Sequence, residues 1–421
     1  MMEYNFSKYN IVSIMKGIPY IVNTLSGALI KLDMPTYLVL KEENIKMLTE
    51  QQREILIKQG MIIDSEIDEK SILRAGYKAY CRGHKSITVI VCPTMECNFA
   101  CPYCFEERQK GRMDENVKKG VLDYVEALLK THYEKLNFEW FGGEPLLYPD
   151  IIEEVSKKIM RLCEKYCTKC EFTITTNGYC VTEKVISIFE KIHLGEVRIT
   201  LDGEKEIHDK RRVLCNGDGT FDVIVSNIKK ISEKGIRVKI RVNIDKENVD
   251  AYLKVKNVFK DIKNIVIYPA RVTEEPTQDD TQRLKCYSAR EMNDFYQDVW
   301  CKNDFKFSYE SLFKKGVCSC MAEHDSSCVI DHRGYVYKCV NDVGHSEWAL
   351  YNVLDGIEKK NPKVVSKYLG RDPFSEEKCN TCKMLPLCYG GCVNEFMRQK
   401  THDCSSVKYI FESILEEKLC L

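Results

Sequence analysis

The 421-residue chain has no net charge, because Lys plus Arg and Asp plus Glu both number 63. That absence argues against electrostatic binding to nucleic acid or an anionic membrane as its main activity. No apolar run approaches the roughly 18 residues needed to cross a bilayer. The opening residues MMEYNFSKYNIV lack a basic stretch followed by an apolar one, so no signal peptide is expected and the location should be cytoplasmic. No internal repeat stands out beyond one duplicated cysteine spacing.

Cysteine, by contrast, is abundant. Twenty-two cysteines would mark a disulfide scaffold in an exported chain, but without an export signal metal or cluster ligation is the expectation.

Residues 1–80 read as a small separate unit. NIVSIM and YIVNTLSGALIKLD have the β-branched content of two hairpin strands. MPTYLVLKEENIKML and TEQQREILIKQGMII follow as short helices, with Thr49 and Gln52 spaced as a capping pair. From 86 to 270, six strand-like segments (SITVIVC, LNFEWF, EFTITT, EVRITL, RVKIRVNI and NIVIYPA) alternate with amphipathic helical segments. This alternation predicts an α/β fold around a parallel sheet, either doubly wound or a partial (β/α) barrel. TEEPTQDDTQRLK is polar and aperiodic, so residues 271–317 are expected to be a linker. Residues 318–421 form a tail whose nine cysteines up to Cys404 should organise it, since little regular structure is expected there.

The spacing C-x3-C-x2-C occurs twice. The second triplet, Cys163, Cys167 and Cys170, falls at the end of a predicted helix at i, i+4 and i+7. Ile152, Val155, Ile159 and Cys163 make one apolar stripe, which reads these thiols as small core residues. The first triplet, Cys97, Cys101 and Cys104 in CNFACPYC, directly follows a strand. It therefore lies at a strand's C-terminal end, where barrel and doubly wound enzymes build their sites. Pro102 breaks any helix through it, and Phe99, Ala100, Tyr103 and Phe105 supply apolar surroundings. Three thiolates on a [4Fe–4S] cluster leave one iron open to bind and activate a small molecule.

At this point the residues resemble radical S-adenosylmethionine (SAM) enzymes, over about residues 86–421. CNFACPYC is similar to that family's cluster motif. The resemblance implies a partial (β/α)6 barrel that binds SAM at the open iron and cleaves it reductively to a 5′-deoxyadenosyl radical. FGGEP is similar to the family's GGEP segment, which implies that Gly142, Gly143 and Glu144 meet the methionine end of SAM. ITLDG places Thr200 in a hydroxyl position of that site. IHDKRR places Arg212, with Arg211 as the competing choice, near the SAM carboxylate. Tyr103 resembles the residue whose backbone contacts adenine, and TTNG and Asn243 fit the ends of the third and fifth strands.

The tail resembles a SPASM domain, which carries two auxiliary [4Fe–4S] clusters. By that resemblance one cluster takes Cys379, Cys382, Cys388 and Cys404. The other takes Cys320, Cys339 and Cys392 with Cys328 as fourth ligand, Cys318 as its rival, or an open position. A zinc site on Cys379, Cys382, Cys388 and Cys392 would leave Cys320, Cys339 and Cys404 unexplained. Residues 1–80 loosely resemble the winged-helix-like domain that binds leader peptides as an added strand; a structural cap is the alternative.

These resemblances imply a maturase that forms a thioether or carbon–carbon cross-link in a ribosomally made, leader-bearing peptide. An electron donor such as flavodoxin or ferredoxin would be its partner, with no role for nucleic acid or membrane. The alternative is an anaerobic sulfatase maturase, which makes formylglycine. In those relatives an aspartate acting as base follows the cysteine that Cys339 matches, whereas here Val340 does. A non-catalytic metal-binding module is the reading from another class.

Overall fold

The structure, a computed structural model, describes residues 3–83, 85–272, 285–288, 290–303, 305, 307–313, 320–356, 359–394, 396 and 404–420. Among these residues no helix is long and apolar enough to cross a membrane.

The N-terminal unit runs β1 (Tyr4–Phe6), β2 (Asn10–Met15), β3 (Ile18–Asn23), β4 (Leu29–Lys31), α1 (Met34–Lys41), α2 (Glu50–Lys58), β5 (Ile62–Asp64) and α3 (Glu69–Arg82). Strands β2, β3 and β4 form one antiparallel sheet, and β1 pairs with β5. YIVNTLSGALIKLD, read as one strand, is two. Asn23 Oδ1 accepts the backbone N–H groups of Leu25 and Ser26 at 3.0 and 2.8 Å, and Gly27 takes a φ of +76°, so the chain turns back on itself. The expected capping pair is present: Gln52 N–H donates to Thr49 Oγ1 at 3.3 Å and Thr49 N–H to Gln52 Oε1 at 2.9 Å. Helix α3 lies at the boundary expected between units. It buries Leu73, Tyr77 and Cys81 against Phe374, Cys379 and Leu385 of the tail.

The centre alternates β6 (Ser86–Val91), α4 (Glu115–Leu129), β7 (Lys135–Trp140), α5 (Pro149–Lys165), β8 (Lys169–Thr176), α6 (Glu183–Lys191), β9 (Leu194–Thr200), α7 (Lys205–Arg211), α8 (Phe221–Glu233), β10 (Arg237–Ile244), α9 (Ala251–Val258) and β11 (Ile265–Arg271). Strands β6 to β11 pair in parallel and in sequential order. Alternate residues on one face, such as Val89, Phe138, Ile174, Val197 and Ile240, pack with α4, α5, α6 and α8 into the main core. Each such side chain contributes about 1.5–3 kcal/mol on burial. The opposite face, the lumen, is polar: Arg198 Nη1 donates to both oxygens of Glu139 at 2.8 Å and Thr175 Oγ1 donates to the same carboxylate.

The tail is more regular than expected. β12 (Cys328–Ile330) extends the sheet parallel to β6, followed by β13 (Tyr335–Tyr337) and β14 (Tyr351–Asn352), giving nine strands. Most of TEEPTQDDTQRLK lies outside the described residues. The described remainder of the expected linker packs: Tyr287, Phe295, Tyr296 and Val299 join the main core, as do Ile410, Phe411 and Ile414 of the C-terminal helix Ser406–Cys420. Its aromatic residues give this stretch enough apolar area to pack.

Candidate active site

The loop Cys97–Cys104 emerges at the C-terminal end of β6, on the rim where β7, β8, β9 and β10 also end. A short antiparallel pairing fixes its shape. Ala100 N–H donates to Val213 O at 2.8 Å and Cys215 N–H to Asn98 O at 2.9 Å, and Phe99, the residue between, is fully buried. Cys97 and Cys101 are half-buried; Cys104 is exposed as a residue, but its thiol is crowded by protein atoms. Burial pushes the Cys97 thiol up to about 12, with Glu144, Cys101 and Cys104 acting the same way. Burial likewise takes Cys104 up to about 11, aided by Glu106 and Cys101. The three thiols therefore share one poorly solvated space. Such thiols stay protonated until a metal displaces the proton.

FGGEP closes the loop from below. A Cβ on Gly142 would stand 2.4 Å from Thr94 O, and one on Gly143 would stand 2.3 Å from Glu96 O. Both glycines are thus needed for the loop after β7 to pack on the segment leading into Cys97. Glu144 is fully buried. Its carboxylate accepts Leu146 N–H at 2.9 Å, Thr176 Oγ1–H at 2.6 Å and Asn177 N–H at 2.7 Å. The TTNG turn is thereby joined to the site, and Asn177 Nδ2 donates onward to Asn98 Oδ1 at 2.8 Å. Cys215 carried no sequence signal of its own, since only the fold brings it to the loop.

Tyr103 is buried, and its hydroxyl bonds Asp202 and accepts from Arg212 Nη1 at 2.9 Å and Asn243 Nδ2 at 3.4 Å. The two arginines separate here. Arg211 pairs with Asp245 at 2.6 Å and Asp202 at 3.4 Å. Arg212 lies 5.5 Å from the Phe99 ring centre, and its Nε is buried without a partner among the described residues. Burial works against the Arg212 cation, but Tyr103, Cys101 and Asp202 outweigh it and hold it charged. A buried, unsatisfied donor on a cation suits a carboxylate. Thr200 is half-buried on the lumen side at the end of β9.

The second triplet is arranged differently. Helix α5 ends at Lys165, so the three residues do not share one helical face. Cys163 is buried in the main core, Cys167 takes a left-handed φ of +53°, and Cys170 belongs to β8 opposite Leu136. This end of β8 is opposite the rim.

The tail cysteines fall into two groups. Cys379, Cys382, Cys388 and Cys404 line one cavity of about 250 Å³, together with Lys378 and Lys408. Cys339 is pushed up by burial, with Asp342, Cys320 and Cys392 close enough to add to the shift. Cys328 is placed elsewhere. Its parallel register opposite Val89 puts it on the helix-packed face, where its thiol, up at about 11 through burial, bonds Tyr124. Cys318 lies outside the described residues.

Among the described residues no three His, Cys, Asp or Glu side chains converge on a single-ion site. A cubane binds each thiolate to a different iron, so its ligands need not converge as those of one zinc must. Three separate thiol groups and an unsatisfied arginine fit clusters and a carboxylate-bearing cofactor better than a lone ion.

Residues 91–257 match the Radical SAM superfamily. A cysteine-type anaerobic sulfatase-maturating enzyme of Clostridium novyi is 25% identical over 73% of this chain and 88% of its own length. A serine-type counterpart from Bacteroides thetaiotaomicron is 26% identical over 75% and 84%. Among solved structures, anSMEcpe with bound AdoMet and Cp18Cys peptide has a TM-score of 0.62 at 20% identity, covering 80% of this chain and all of that one. SuiB of Streptococcus suis bound to precursor peptide SuiA has a TM-score of 0.52 at 15% identity, covering 96% and 99%.

Proposed function

From the premise that this chain is a radical SAM enzyme related to peptide and protein maturases, we propose that it cross-links a ribosomally made, leader-bearing peptide through a thioether or carbon–carbon bond. The N-terminal unit carries the proposal. Within the unit, the outer edges of β2 and β4 have no strand beyond them among the described residues, which suits strand addition by a peptide.

The residues available next to Cys339 favour the same reading. Val340 cannot take a proton. Asp342, the nearest carboxylate, is fully buried, bonds Tyr368 and accepts Asn394 Nδ2–H at 2.7 Å, so it is already engaged as an acceptor.

A [4Fe–4S] cluster on Cys97, Cys101 and Cys104 with SAM supplies the 5′-deoxyadenosyl radical. The chain's own residues do the rest. Arg212 would hold the SAM carboxylate, Glu144 would fix the loop at its methionine end, and Thr200 and Tyr103 would bound the pocket. Phe99 excludes water from its floor. Cys379, Cys382, Cys388 and Cys404 hold one auxiliary cluster. Cys320, Cys339 and Cys392 hold the other, with a fourth position left to Cys318 or open.

The test is anaerobic turnover of the reduced enzyme with SAM and, separately, a Cys-type sulfatase peptide, a Ser-type one and a leader-bearing peptide that contains cysteine. Loss of two hydrogens from the last without an aldehyde is expected. Aldehyde at turnover rates on a sulfatase peptide would assign the chain to the sulfatase maturases.

A further inference from the structure

The lumen face of β9 and β10 carries four cations, and three of them face a carboxylate. Arg198 pairs with Glu139 at 2.8 Å, and Lys239 and Arg237 face Glu196 at 2.9 and 3.7 Å. Arg241 has no acidic partner among the described residues; its one bond runs from Nε to Asn243 Oδ1 at 2.7 Å. That bond orients the guanidinium and leaves both terminal nitrogens unused. The backbone ladder sets Arg241 beside Thr200 on β9 and Tyr268 on β11. Asn243 itself reaches the Tyr103 hydroxyl at 3.4 Å, so Arg241 is one residue removed from the SAM pocket. The side chain is exposed although its position faces inward, so it opens into the space where a substrate would lie.

We propose that Arg241 is a specificity residue that binds a carboxylate of the peptide substrate, either an Asp or Glu side chain or the C-terminus. This rests on the reading of a peptide substrate given above. An arginine with both terminal nitrogens available can donate two parallel hydrogen bonds to one carboxylate. A lysine would supply the charge without the fork.

The test titrates the anaerobic holoenzyme with three peptides. They are acetyl-Gly-Cys-Gly-Glu-Gly-amide, the same peptide with Gln for Glu, and the Gln peptide with a free C-terminal carboxylate. Wild type should bind at least one acidic peptide about tenfold more tightly than the neutral one, the difference expected of a charged hydrogen-bonded pair. Which acidic peptide gains tells side chain from C-terminus. Arg241→Gln should erase the preference and Arg241→Lys should keep part of it. Equal affinity for all three peptides, or no measurable binding of any, overturns the proposal. It is also overturned if Arg241→Gln keeps the peptide preference while weakening SAM about tenfold, since the carboxylate would then be SAM's own. Failure of the underlying reading shows separately, as no 5′-deoxyadenosine from reduced wild type and SAM.

Discussion

The carboxylate of Glu144 accepts a 2.7 Å hydrogen bond from the backbone N–H of Asn177. Through it the loop after β7 and the turn after β8 become one body, which Asn177 extends to Asn98 in the cysteine loop. Glu144→Gln turns one acceptor oxygen into a donor facing N–H or O–H groups. Because this carboxylate is fully buried, the change should cost about 2 kcal/mol of stability. It should also weaken SAM binding, read by thermal denaturation and equilibrium titration. A substitution neutral in both would deny Glu144 any role in the site.

The two triplets should differ in iron. With three cubanes the chain holds about twelve irons, and changing Cys97, Cys101 and Cys104 to Ala should remove about four and abolish SAM cleavage. Changing Cys163, Cys167 and Cys170 to Ser should leave iron unchanged and cost about 1–3 kcal/mol, mostly from the hydroxyl buried at Cys163. Equal iron loss from the two triple variants would reverse the assignment.

His208 couples the site to pH. It is fully buried; its Nδ1 accepts Asp202 N–H at 3.3 Å and its Nε2 lies 3.0 Å from Thr220 Oγ1, whose proton goes to Arg212 O. These bonds assign the neutral ring with the proton on Nε2. Burial, then Arg212 and Arg211, depress its pKa to about 3. A depressed histidine binds fewer protons folded than unfolded, so its contribution is complete above pH 6.5 and is lost as pH falls toward 3. The loss should reach about 2 kcal/mol at pH 5. His208→Asn should flatten that dependence in denaturant titrations at pH 5 and pH 7; a slope identical to wild type would refute the assignment.

Tyr77 joins the N-terminal unit to the auxiliary-cluster loops. Its hydroxyl donates to Glu323, which is buried and lies 3.6 Å from Arg371, and Arg371 donates to Gly390 O at 2.6 Å between Cys388 and Cys392. Tyr77→Phe removes one hydrogen bond from a buried carboxylate and should cost about 1–3 kcal/mol. Deleting residues 1–83 should go further and lower iron content, because Cys379 packs against α3. Unchanged iron in a folded truncated protein would show that the unit supports only substrate binding.

The local pattern of the chain determined much of this. Six apolar segments with a period of two, separated by amphipathic helices, can bury their surface only as a parallel sheet with covered faces. Cys97, Cys101 and Cys104 follow a strand and contain a proline, so their loop was legible as a site, and Thr49 with Gln52 announced a helix start by local bonds alone. What depends on contacts distant in sequence was not legible. Cys328 looked like a ligand by resemblance to the SPASM domain, yet pairing with β6 turns its thiol toward Tyr124, because strand register decides which face a side chain takes. The same holds for Arg241. Its neighbours in sequence do not reveal that Arg198, Arg237 and Lys239 each face a carboxylate and it does not. Partners for charges are chosen across strands, and only the tertiary structure brings those strands together.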